Sequence, residues 1–255
     1  MHAELDKRGL VMLGAFVPVA LKDADAHEAG VAESLKVARL LAEAARMGGY
    51  EQSPFLALAD DNATDPVRTA NAGRTDREMS LTDEQWKVFA SGAEKVARAV
   101  KSETGLRTVF HHHCAGYVER PDEVGRLLDM TNPNLLGLVL DTGHYTYGSA
   151  KNDPAVVLEA LDLFTERIWY VHFKDCHPEI ADRARAEGWD YFEAIRRGVF
   201  CELGQGCVDF PAVLSRLRQQ GYDGWVVVEQ DVVPGMGSPR QSAQRNREYL
   251  GAQGI

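Results

Sequence analysis

Cysteine is scarce in this chain: four in 255 residues, at Cys114, Cys176, Cys201 and Cys207. None forms a CxxC pair, which speaks against a structural zinc knuckle. A chain of this length buries a substantial core without cross-links, so reduced thiols in a cytoplasmic protein are expected. Cys114, Cys176 and Cys201 lie near polar segments and are expected to pack there as small thiols. No apolar run is long enough to span a bilayer, so no membrane partner is expected. The opening stretch MHAELDKRGLVMLGAF lacks the basic segment, apolar core and small-residue cleavage site of a secretory signal. Basic residues are in deficit, 28 Lys+Arg against 38 Asp+Glu, for a formal net charge of −10. That balance argues against nucleic acid, whose nonspecific binding rests on phosphate neutralisation. Linkers, low-complexity tracts and clear repeats are missing too, so residues 1–255 read as one domain.

What is present is an alternation of short apolar runs and helical patterns. The runs cover residues 9–19, 54–60, 105–113, 135–144, 167–175 and 224–231. After the first, Val31, Leu35, Ala38, Leu41 and Ala45 recur at three- and four-residue steps, the stripe of a helix over about 27–46. A polar loop is expected over 61–80. Thr82 and Gln85 fit a capping box, opening a helix that reaches about Ser102. Pro121 suits the first position of a helix, and Asp153-Pro154 opens another. Further helices are expected near 178–197, 210–220 and 239–252. Near-continuous apolar strands separated by helices predict an α/β fold, a parallel sheet covered by helices.

Four of the strands end in polar residues. The third gives His111, His112 and His113, the fourth Asp141 and His144, the fifth His172, Lys174 and Asp175, the sixth Glu229 and Asp231. In parallel α/β folds the C-terminal strand ends build the active site. Side-chain alternation puts His111 and His113 on one face and turns His112 to the other, to pack or cap. If the matching faces point inward, His111, Asp141, His172 and Glu229 converge. Imidazole with carboxylates suits manganese, cobalt, iron or zinc, and a bound cation could polarise a carbonyl.

The stretches VFHHHCAGYVE, LGLVLDTGHYTYG, WYVHFKDCHPEIA, EGWDYFEAIRRGVFCELGQGCVDF, GYDGWVVVEQDVVPGMG and SAQRNREYL resemble the inosose (2-keto-myo-inositol) dehydratase family. That family belongs to the xylose-isomerase-like superfamily of (β/α)₈ TIM barrels, and the resemblance covers residues 5–252. It implies a metal held by His111, Asp141, His172 and Glu229. The superfamily's usual first ligand is a glutamate; His111 stands there, with His113 as the alternative. It implies a lyase of inositol catabolism that takes water from 2-keto-myo-inositol and leaves a trihydroxycyclohexane-1,2-dione. Glu229 is the candidate base, His113 or His144 the candidate acid, and Lys174 a substrate-binding or proton-transfer residue. Manganese or cobalt, and glutathione, are the cofactors the resemblance implies.

Six strand–helix units are read here, where a closed barrel has eight; the family's first two units find no counterpart. Unpaired sheet edges would favour pairing with another chain as a homo-oligomer. Two rivals share the metal site or the fold: a sugar isomerase or epimerase working through an enediolate, and an inactive truncated barrel. The apurinic endonuclease branch of the superfamily is disfavoured by the net charge of −10.

Overall fold

A computed structural model describes residues 2–255. Its strands are β1 (Gly14–Val19), β2 (Phe55–Asp60), β3 (Arg107–His111), β4 (Leu136–Asp141), β5 (Ile168–Phe173), β6 (Asp175–Cys176), β7 (Phe200–Cys201) and β8 (Val226–Val228). Six of these form one sheet in the order β1-β2-β3-β4-β5-β8, and β6 with β7 makes a separate ribbon. The pairs β1–β2, β2–β3, β3–β4 and β5–β8 are parallel, as the alternation with helices requires. The packing resolves into two compact units, interleaved along the chain. The first takes residues up to Asp61, then Leu81–His111 and Arg126–Val139; the second takes Asn62–Ser80, His112–Gly125 and Leu140–Ile255.

In the first unit β3 lies against β4 with His111 opposite Val139. The helix Asp83–Thr104 opens on the expected capping box: the Thr82 hydroxyl accepts the Gln85 N–H, and the Gln85 side chain accepts the Thr82 N–H. It ends at Gly105, whose φ of 74° suits a residue without a side chain. Trp86, Phe89, Ala93, Val96, Ala97 and Val100 form its buried face. The helix His27–Gly48 buries Ser34, Ala38, Leu41 and Ala44, a stripe turned slightly from the expected one. Val31, Leu35 and Ala45 flank it, half-buried. The reason is close approach: a side chain on Gly30 would strike Val19 at 2.4 Å, so small residues face the sheet.

In the second unit the strands are shorter than the apolar runs. β8 spans three residues, although the Glu229 N–H adds one more ladder bond to the Phe173 carbonyl at 3.0 Å. β4 stops at Asp141, whose side chain accepts the His144 N–H and caps a helix, Thr142–Gly148. β5 stops at Phe173, and the chain then peels away so that Asp175 and Cys176 pair antiparallel with β7. The expected loop 61–80 contains a short helix, Pro66–Ala70, capped by Asp65. The helix expected over 178–197 is two, Pro178–Glu187 and Tyr191–Arg196, divided at Gly188 with φ 68°. Among the described residues no helix is long and apolar enough to cross a membrane.

Candidate active site

Asp141, His172 and Glu229 follow from three strand ends: the last residue of β4, the penultimate residue of β5 and the residue after β8. Each offers one ligand atom, and these atoms lie within 4.8 Å of one another. The His172 Nδ1 is 2.8 Å from Glu229 Oε2 and 3.9 Å from Asp141 Oδ2. Asp141 is fully buried, and its Oδ1 is fixed by the His144 N–H at 2.8 Å.

Lys174 stands on the flank. Its Nζ donates to Glu229 Oε1 (2.8 Å) and Asp231 Oδ2 (3.1 Å), and lies 4.7 Å from the centre of the Phe200 ring. The side chain is 1% exposed. Burial pushes its pKa down, but Glu229, Asp141 and Asp231 outweigh that and hold it well above the ordinary lysine value. The stem crosses Gly143, where an added Cβ would meet Lys174 Cγ at 2.5 Å. The Thr142 hydroxyl donates to the Lys174 carbonyl (2.6 Å) and accepts its N–H (3.0 Å), tying the helix after β4 to the end of β5. Asp141, Glu229 and Asp231 with one ammonium leave two negative charges in excess. A single divalent cation balances them, and the mixed N/O donors suit a first-row metal. The residues therefore fit the ion that the donor set predicts.

The histidine run divides as alternation requires. His112 turns away: its Nε2 accepts the Asp141 N–H at 3.2 Å and its ring sits edge-on to Tyr145. His113 stacks beside His144 with ring centres 3.8 Å apart. Its Nδ1 lies 2.8 Å from the Cys114 carbonyl oxygen. The Asn62 Nδ2 lies 3.1 Å from that same His113 Nδ1. Its Nε2 faces the Tyr191 hydroxyl at 3.4 Å. His144 differs. Its Nδ1 meets the Cys114 N–H at 3.4 Å and its Nε2 meets Lys174 Nζ at 3.2 Å, so both ring nitrogens face donors. His111 ends β3 in the first unit, buried, its ring edge-on to Phe16 at 6.0 Å.

The second unit thus brings together Asp141, His172, Glu229, Lys174, His144 and His113. Asp231 belongs with them, two residues past Glu229 and on the same alternating face, a spacing that marks it. Asn62, Tyr191 and Phe200 also take part, and nothing in their spacing signals it: two are aromatics in helical or strand patterns and one is a loop amide.

A family model described as xylose isomerase-like TIM barrel matches residues 1–253. The inosose dehydratase of Geobacillus kaustophilus (strain HTA426) is 32% identical over 250 residues, covering 98% of this chain and 77% of that one. The inosose dehydratase of Clostridium beijerinckii is 33% identical over 170 residues, 67% of this chain and 55% of that one. Among solved structures, the IolI protein with a bound zinc atom aligns over 99% of this chain and 80% of its own, at 17% identity and a TM-score of 0.65. A probable 3-DHS dehydratase, AsbF from Bacillus anthracis, aligns over 98% and 81% at 12% identity, also with a TM-score of 0.65. The chain belongs to the xylose isomerase-like TIM-barrel family, as an enzyme of its dehydratase branch.

Proposed function

We propose that this chain is a metal-dependent hydro-lyase acting on 2-keto-myo-inositol, a small cyclic polyol ketone. The observation that carries the reading is the convergence of Asp141, His172 and Glu229 beside a buried ammonium and a histidine pair. Asp141, His172 and Glu229 would hold the cation. When bound, the cation supplies Lewis acidity toward a ketone oxygen. Manganese or cobalt suits this donor set.

The chain's own residues supply the proton transfers. Glu229 takes the proton α to the ketone, with Lys174 fixing its Oε1. His113 is the better acid for the departing hydroxyl. As the imidazolium, with Nδ1–H toward the Cys114 carbonyl, it would present its Nε2 proton to the site. A proton added to His144 would set donor against donor at both ring nitrogens, so His144 orients Lys174 instead.

An anaerobic dehydration assay with 2-keto-myo-inositol tests this, run with manganese, cobalt or zinc, after chelation, and with and without glutathione. Metal-dependent formation of the dione is expected. Glu229→Gln should lower turnover by about 100-fold or more. Turnover of ketoses by isomerisation, with no dione formed, would move the chain to an isomerase or epimerase.

A further inference from the structure

We propose that Cys176 and Cys207 form a redox pair, which a two-electron oxidant of the peroxide class converts into an intramolecular disulfide. The four cysteines are free thiols, and their surroundings separate this pair from the others. The Cys207 N–H donates to the Cys176 carbonyl at 3.0 Å. Residues joined by such a bond have α-carbons within the span a disulfide bridges. Cys207 also packs against the buried cluster that contains Cys176.

The loop that carries Cys207 is pinned on both sides of it. Asp175 accepts the N–H groups of Gly204 and Gly206 through Oδ2, both at 2.9 Å, and that of Val208 through Oδ1 at 3.1 Å. Gly206 permits this contact: a Cβ there would lie 2.2 Å from Asp175 and 2.4 Å from the Cys176 carbonyl oxygen. The bond can therefore close with the loop in place.

Exposure sets the order of events. Cys207 is partly exposed and Cys176 is buried. The Cys176 thiol's hydrogen bond lowers the Cys207 pKa, and burial only partly offsets it. Cys114 is buried and its thiol is pushed well up; Cys201 is pushed up to about 12 by burial. Neither competes as thiolate. The Cys207 thiolate attacks hydrogen peroxide: an S–O bond forms, the O–O bond breaks and hydroxide leaves. Cys176 then loses its proton and attacks the Cys207 sulfur; S–S forms, S–O breaks and the second oxygen leaves as water. Two thiols and one peroxide give one disulfide and two waters.

The test treats the intact chain with a small excess of hydrogen peroxide, blocks remaining thiols and maps peptides without reduction. A Cys176–Cys207 cross-linked peptide is expected, with titratable thiols falling from four to two and dithiothreitol restoring them. Cys207→Ser and Cys176→Ala, each checked for native circular dichroism, should lose the cross-link. Cys201→Ser should keep it. A bond involving Cys114 or Cys201, sulfinic acid on Cys207 with Cys176 still alkylatable, or four thiols unchanged by peroxide would each overturn the pairing.

Discussion

At Glu119 a carboxylate is 1% exposed, accepting the N–H groups of Gly73 (2.7 Å) and Ala115 (2.8 Å). Burial raises its pKa to about 7, against the pull of Arg68 and those two N–H groups. Between the unfolded value near 4.5 and 7 the folded chain binds the extra proton. Stability from this group is therefore greatest below about 4.5 and declines as pH rises toward 7, by roughly 3 kcal/mol. Urea unfolding of the parent and Glu119→Gln at pH 5 and pH 8 checks the sign: the variant should gain on the parent by about that amount at pH 8. A difference that does not change with pH would show that Glu119 is ionised throughout. Side-chain alternation made part of this scale legible. It separated His112 from His113 and pointed to Asp141, His172 and Glu229. It was silent on Tyr191 and Phe200, because aromatics at helix and strand positions look the same whether they fill a core or line a site.

Elements repeat this division between local and long-range information. The Thr82–Gln85 cap was readable because its two hydrogen bonds join residues three apart. Thr82→Ala should cost about 1 kcal/mol in chemical denaturation, with activity retained. The helix Thr142–Gly148 was not readable. It begins inside an apolar run and all its residues are buried, so no polar face gives it a period. Asp141 starts it, and Gly143 lets the Lys174 stem pass. Gly143→Ala should leave the fold intact by circular dichroism and cut kcat by about 100-fold, because the displaced ammonium no longer meets Glu229. Unchanged kcat would remove Lys174 positioning from the mechanism. The β6–β7 ribbon was hidden for a related reason. It pairs residues 175–176 with 200–201, a contact that neither local run announces.

For the whole molecule, six strands in one sheet match the six apolar runs, while their order follows from pairing across long separations. Metal linkage acts at this scale as well. Donors on separate strand ends bring a cation's binding energy to the folded chain alone. Saturating manganese should raise Tm by about 5–10 °C over chelated protein, read by differential scanning fluorimetry. Asp141→Asn should lose that increment. The two compact units carry a different consequence. The chain passes between them after Asp61, Ser80, His111, Gly125 and Val139, the last of these inside β4. Neither unit is a continuous piece of sequence, so no single truncation or protease nick isolates one. Expression of half-length fragments, a common route to separate parts of a protein, should therefore yield only unfolded chain.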